Sequence, residues 1–143
     1  MLSGLEDLAE DYETVVMGIP DIYGRLLGKR FDKDHFVNTI ATSGNHFCTY
    51  LLGCDLGCEQ VPGLEYCNWD KGYGDFHVVP DMTTLRKFAW LDNTAGVIGD
   101  VLGHDDEPVP VAPRNILKNV LKKASEMGFS DANCASELEC MML

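Results

Sequence analysis

With 143 residues, 45% of them hydrophobic, the chain can bury one core, which predicts a single domain or one domain with an appendage. Its 23 acidic and 11 basic residues leave a formal net charge of −12 and a pI near 4.5, which argues against nucleic acid as a partner, because phosphate backbones are held by clustered Lys and Arg. Apolar runs such as Thr14 to Ile19 fall far short of the roughly 20 residues a membrane-spanning helix needs, and the acidic start lacks the basic flank of a secretion signal.

Residues 1–13 form an acidic N-terminal segment in which Glu6, Asp7, Glu10, Asp11 and Glu13 read as a solvated helix face or a frayed start. Thr14 to Ile19 is β-branched and apolar and predicts a strand. Pro20, Asp21 and Gly24 make a turn, and Arg25 to Phe31 returns as a second strand of a hairpin, with Lys29 and Arg30 facing solvent or a subunit contact. Asp32 or Asp34 caps a short helix reaching Ala41, with Phe36, Val37 and Ile40 on one apolar face and Gly44 as its stop. Phe47 to Leu52 is a strand candidate, and Gly53 to Gly74 is a long loop rich in Gly, Cys and aromatics, of the kind that is functional or disordered. Asp75 to Val79 predicts a short strand ended by Pro80, and Thr94 to Leu102 a longer one broken by Gly96 and Gly99. Strand, strand, helix and further strands describe a small α+β sheet with one helix laid across it.

Gly103 to Pro113 carries three prolines and three acidic residues without helical periodicity, so the chain divides into a domain over 14–103, a linker over 104–112 and a second unit over 113–143. Pro113 suits a first helical turn, and Ile116, Leu117, Val120, Leu121, Ala124 and Met127 form an apolar stripe closed by Gly128. A strand follows from Ala132 to Met142, and there Glu137 and Glu139 share a face and could offer their oxygens to one cation. A hard divalent ion takes roughly six oxygens, so the pair is an incomplete site.

The six cysteines contain no Cys-x-x-Cys pair, and only Cys54 and Cys58 approach metal-ligand spacing. They read as free thiols in a reducing cytosol, with Cys48 and Cys54 packed on a strand as small hydrophobes. His35, His46, His77 and His104 are scattered and read as structural. Gly72 and Gly74 read as turn glycines ahead of a strand rather than a phosphate cradle.

Taken together, Asp21-Ile22-Tyr23-Gly24-Arg25-Leu26-Leu27-Gly28-Lys29-Arg30, then Gly72-Tyr73-Gly74-Asp75, Val79-Pro80-Asp81-Met82-Thr83-Thr84-Leu85-Arg86 and Trp90, resemble the N-terminal β-grasp domain of the glutamine synthetase superfamily. The likeness continues through Pro108-Val109-Pro110 and Pro113-Arg114-Asn115-Ile116-Leu117 to Ala135-Ser136-Glu137-Leu138-Glu139, where the family's catalytic domain begins. The resemblance implies an α+β, β-grasp (ubiquitin-like) sheet followed by the first helix and strand of a truncated catalytic domain. It also implies a cytoplasmic, ATP-dependent carboxylate–amine ligase of nitrogen metabolism that joins glutamate to ammonia or an amine with Mg²⁺ or Mn²⁺. By the same resemblance Glu137 and Glu139 match two metal ligands of the family's Glu-x-Glu strand.

Two departures qualify the likeness. Cys48 falls where glutamine synthetases proper carry the aspartate that handles ammonium, and a thiol offers no fixed negative charge at neutral pH. Asp55 and Asp70, both in the long loop, are the candidates to replace it. The Gly-Tyr-Gly-Asp segment is more similar to the divergent branch of γ-glutamyl-polyamine synthetases, FluG-like proteins and lengsin. Cys140-Met141-Met142-Leu143 replaces the aromatics expected after the second glutamate, which suggests truncation. The expectation is a chain inactive by itself, binding neither ATP nor metal alone, that forms a homo-oligomer or joins a full-length relative; the alternative is a non-catalytic structural or regulatory ring-forming protein resembling lengsin.

Overall fold

The computed structural model describes residues 12–142. The acidic segment of the sequence reading therefore lies, Tyr12 and Glu13 apart, outside the described residues. Five strands form one sheet: β1 (Thr14–Pro20), β2 (Leu26–Asp32), β3 (Asn45–Cys48), β4 (Asp75–Lys87) and β5 (Thr94–Leu102), in the order β2-β1-β5-β4-β3. β1 pairs antiparallel with β2 and parallel with β5, while β4 pairs antiparallel with β5 and β3. This is the β-grasp arrangement, an α+β fold with a helical crossover lying on one face of a mixed sheet.

Alternation on β1 decides which face is covered. Val15, Met17 and Ile19 point inward and are fully buried, as period-two patterning requires. They meet Phe36 and Ile40 from the crossover, joined by Phe47, Phe76 and Val78 from the far side of the sheet. The crossover runs through α1 (Lys33–His35), a π-helical turn over Phe36–Ile40, and α2 (Ala41–Ser43). Asp32 caps it, its Oδ1 accepting from the His35 amide at 3.1 Å. Gly44 ends it at φ +65°, where a Cβ would stand 2.5 Å from the Val78 carbonyl oxygen.

Four features of the sequence reading change. The strand expected over Phe47–Leu52 occupies Asn45–Cys48, and Thr49–Leu52 is a 3₁₀ turn, because pairing with β4 stops at Cys48↔Asp75. Pro80 does not end its strand: β4 continues to Lys87, with an irregularity between Asp81 and Arg86. Pairing with β3 already ends at Val78↔Asn45, so Pro80 lies where β4 has become an edge and its missing N–H disturbs no ladder on that side. Gly96 and Gly99 do not break β5. They make room, since a Cβ at Gly96 would lie 2.0 Å from Phe88 Cζ and one at Gly99 2.1 Å from Val78 Cγ1. Finally, no strand forms over Ala132–Met142; residues 129–142 have no regular structure and are exposed, and no described strand pairs with them. A lone extended segment leaves its backbone groups to water and gains nothing from strand geometry.

Residues 104–112 lie against the sheet. Val109 and Ala112 are buried in its core, and the Val109 amide donates to Val101 at 3.1 Å. α3 (Pro113–Glu126) then starts with Pro in its first turn and is held by polar groups rather than by its apolar stripe. Arg114 bridges Asp81 and Asp100, the latter at 2.7 Å, and Lys118 joins the same Asp100. Asn115 is buried and donates through Nδ2 to the carbonyls of Val101 at 2.7 Å and Val109 at 3.0 Å. Ile116, Leu117, Val120 and Leu121 face outward, between 42% and 57% exposed.

Two expectations follow from these contacts. Gly96→Ala lowers stability by about 1–3 kcal/mol in urea unfolding, the range for overpacking, and Phe88→Leu in the same chain recovers part of the loss. The Asp81 carboxyl is held below its ordinary value by hydrogen bonds from the Thr83 hydroxyl and amide, against the opposing effect of burial, with further help from the Arg114 and Lys118 charges. Its contribution is complete above the unfolded carboxylate value of about 4 and disappears as the pH falls through the lowered folded value. Circular dichroism should therefore show an acid limb in unfolding below about pH 4 that Asp81→Asn weakens.

Candidate functional site

The long loop between β3 and β4 is ordered by a few local devices. Arg25, at the start of the returning hairpin strand, donates through Nε to Asp21 at 2.7 Å, through Nη1 to the Leu56 carbonyl at 2.7 Å and through Nη2 to the Asp55 carbonyl at 2.9 Å. Asp21 is buried and also accepts from the amides of Tyr23 and Arg25. Burial works to raise the Asp21 carboxyl, but the Arg25 side-chain bond, the two amides and the guanidinium charge hold it below its ordinary value. A charged turn thus fixes the near end of the loop.

Asp55 turns its carboxylate inward on its own turn: Oδ1 accepts from the amides of Gly57 at 2.8 Å and Glu59 at 2.9 Å. Cys58 takes a left-handed conformation there, φ 62°, exposed, with Arg25 Nη1 at 3.9 Å from its sulfur. Cys54 and Cys67 are buried, and burial pushes both thiols up, so they remain protonated small hydrophobes. Cys54 sits on an isolated bridge to Gln60 rather than in a strand, and Cys48, half-buried, ends β3. Among the described residues all six cysteines are free, and no three His, Cys, Asp or Glu side chains converge on a cation position.

The second half of the loop is a tight turn. Asn68 pairs with Gly72, whose φ of +74° needs glycine, and the Gly72 amide returns to the Trp69 carbonyl at 3.3 Å. Asn68 Oδ1 accepts from the Lys71 amide at 2.9 Å, and Asp70 stands at the exposed tip. Asp70 and Asp55 therefore differ: one carboxylate is spent on backbone amides, while the other accepts no hydrogen bond among the described residues.

Glu137 and Glu139 are exposed on a segment without regular structure. Among the described residues the sequence candidates form no group of three or more carboxylates, histidines or thiols that could hold a metal ion. Sequence reading left His46 and His77 as scattered residues, yet they are directly paired across β3 and β4 and their rings stack at 5.2 Å, with His77 Nε2 2.7 Å from the Ser43 carbonyl. Lys29, read as facing solvent or a subunit contact, spans to the opposite edge strand, donating to the His46 carbonyl at 2.6 Å and Asn45 Oδ1 at 3.0 Å. Arg25 was also missed as the organiser of the loop; the signal was its spacing of four from Asp21 across a Gly-containing turn.

Comparison with known proteins places this geometry in context. The chain is 39% identical over 141 residues to a γ-glutamylethanolamide synthetase of Streptomyces coelicolor, covering 95% of this chain and 30% of that protein. It is 34% identical over 131 residues to a glutamate–isopropylamine ligase of a Pseudomonas species, covering 92% of this chain and 28% of that protein. The chain thus spans about 30% of the length of the curated relatives it matches. A solved GmaS–ADP complex superposes with a TM-score of 0.66 at 22% identity, covering 89% of this chain and 26% of the other. A solved glutamine synthase homolog gives 0.67 at 15% identity, over 83% of this chain and 28% of the other. No family model matches the chain.

Replacing Arg25 by Lys keeps the charge and removes the fork that reaches both loop carbonyls. Hydrogen exchange at the Gly57 and Glu59 amides should then quicken roughly tenfold while the β1 and β5 amides keep their protection. Equal quickening in the strands would show that the guanidinium supports the whole sheet and not the loop.

Proposed function

Because the chain belongs to the glutamine synthetase superfamily, we propose that it forms part of a ligase joining the γ-carboxylate of glutamate to an amine, with ATP as the activating co-substrate. The observation that carries this reading is the 39% identity, over 141 residues, to a protein named for making γ-glutamylethanolamide. Relatives named for an isopropylamine substrate and for a γ-glutamylanilide product, at 34% and 37% identity, support an amine in place of free ammonia. So does Cys48 at the position where ammonia-using members carry an aspartate.

A carboxylate resists attack by an amine until its oxygen becomes a leaving group, and phosphorylation by ATP supplies that change. What these 143 residues contribute is the scaffold on the amine side. The Arg25 clamp holds the near end of the loop, and the Asn68–Gly72 turn carries Asp70 at its exposed tip. Glu137 and Glu139 are the proposed Mg²⁺ or Mn²⁺ ligands once their segment pairs with a neighbouring strand. In the exposed, unpaired form described here, two carboxylates fall short of the roughly six oxygens a divalent ion takes, so they do not hold one alone. The proposed working form is therefore an assembly, with copies of itself or with a longer relative, in a reducing cytosol that keeps the thiols free. No helix among the described residues is long and apolar enough to cross a membrane.

The test is a chimera. Residues 14–139 of this chain replace the matching stretch of the γ-glutamylethanolamide synthetase, and ATP-dependent γ-glutamyl amide formation is measured across a panel of small amines. Product with at least one primary amine is expected, and the 143-residue chain alone gives no γ-glutamyl hydroxamate above background. A folded, assembled chimera that makes no product with any amine or with ammonia overturns the ligase reading; hydroxamate from the chain alone overturns its dependence on partners.

A further inference from the structure

His46 and His77 stand directly opposite each other on β3 and β4, on the face away from Phe47 and Phe76, and their rings stack at 5.2 Å with planes 21° apart. The two rings differ in what they meet. The His46 ring makes no hydrogen bond among the described residues, while its backbone carbonyl accepts from Lys29. The His77 ring is held at both nitrogens: Nε2 lies 2.7 Å from the Ser43 carbonyl at the end of α2, and Nδ1 lies 3.4 Å from Asp106 Oδ1 in the turn that leaves β5. Gly44 leaves the ring its room, since a Cβ there would stand 2.4 Å from Nε2.

Both neighbours are acceptors. A backbone carbonyl has no proton to give, and neither has a carboxylate above about pH 4. A neutral imidazole carries one N–H, so it serves one of these oxygens and turns a lone pair toward the other; an imidazolium carries two and serves both. The shorter Ser43 contact claims the N–H of the neutral ring, which leaves Asp106 as the partner that a second proton engages.

Asp106 belongs to a closed turn. The Gly103 amide donates to the Glu107 carbonyl at 2.8 Å, the Asp106 amide donates to the Gly103 carbonyl at 3.2 Å, and Asp106 itself takes φ +59°. Among the described residues it is the one carboxylate within ion-pair reach of the His77 ring. Asp75 shares the face two positions earlier on β4, and Asp105 accepts from the Glu107 amide at 3.3 Å. β5 sets Leu102 opposite His77, and Asp100, further along that strand, is taken by Arg114 and Lys118. His104 stands beside Gly74, where a Cβ would lie 3.8 Å from its Nε2.

We propose that His77 is a proton-operated latch: its imidazolium ties the turn from Gly103 to Glu107, through Asp106, to β4 and to the end of the crossover, and loss of the proton releases the turn. The latch is closed between the ordinary carboxylate and histidine values, about pH 4 to 6.5, and opens as the pH rises through the latter. Because the turn begins the stretch that leads from β5 to α3, the proton sets how firmly that stretch is held where it leaves the sheet. The latch uses no residue assigned to the amine, to ATP or to the metal, so it stands apart from the ligase reading.

NMR on the whole chain tests it. At about pH 8 the imidazole nitrogen signals of His77 should show the Nε2–H tautomer, and at about pH 5.5 both nitrogens should carry protons. Protection factors of the Gly103 and Asp106 amides, already corrected for the pH dependence of free-chain exchange, should be about threefold higher at the lower pH, the scale of one exposed ion pair. Asp106→Asn, which keeps a residue tolerant of the left-handed backbone, should abolish that ratio. His77→Gln, which keeps an N–H for Ser43, should abolish it too, whereas His46→Phe, with a ring to stack and nothing to titrate, should preserve it. A Nδ1–H tautomer at the higher pH, protection that does not change with pH, a ratio that survives Asp106→Asn, or one that vanishes in His46→Phe overturns the proposal.

Discussion

A guanidinium cannot shed its charge, so the chain must surround Arg25 with acceptors wherever folding leaves it. Asp21 takes one donor, and the carbonyls of Asp55 and Leu56 take others. That single requirement couples the five-residue hairpin turn, Asp21 to Arg25, to a loop some thirty positions later in the chain. The stretch from Gly53 to Gly74 is also held by its buried Cys54 and Cys67, by Tyr66 packed against the core, and by the Thr49 amide donating to the Gly74 carbonyl at 2.9 Å. The Cys54–Gln60 bridge brackets the two carbonyls that Arg25 holds, and a groove beside Asp70 lies in the same loop.

A second constraint is the shortage of helix. Eleven crossover residues, 33–43, cover one face of five strands, and the core gathers there around Phe36 and Ile40. The other face is left to side chains of its own, with Phe88 stacked on Trp90 at 4.6 Å and packed over Gly96. α3 adds little cover to either face because it is fastened by Arg114, Asn115 and Lys118 at its beginning. Amphipathicity read from sequence names a stripe that ought to be covered; which side of a helix meets a neighbour depends on polar anchors that periodicity does not display.

The hairpin, the capped crossover, the long loop, the Thr94–Leu102 strand and α3 were all legible in the sequence, because each is signalled within a few residues by turn chemistry or by spacing. Pro80, Gly96 and Gly99 were misread for a common reason. Their effect depends on what stands next to them across the sheet, and a linear reading sees only what precedes and follows. The Glu137–Glu139 alternation was read as a strand, but alternation describes how a strand would present its side chains and supplies no partner for its backbone. Of the candidate site, Asp70 was visible and its neighbours were not, since Gln60 and Tyr73 meet only through the fold of the loop.

Lys29 gives the sheet a property that belongs to no single strand. Its ammonium leaves β2, one rim of the sheet, and is received by Asn45 and His46 on β3, the other rim, with the Phe47 ring 5.1 Å beneath it. Open rims are where sheets recruit strands from other molecules and grow into fibrils. A rim that carries a charged side chain already bound to the opposite rim is a poor template for such growth.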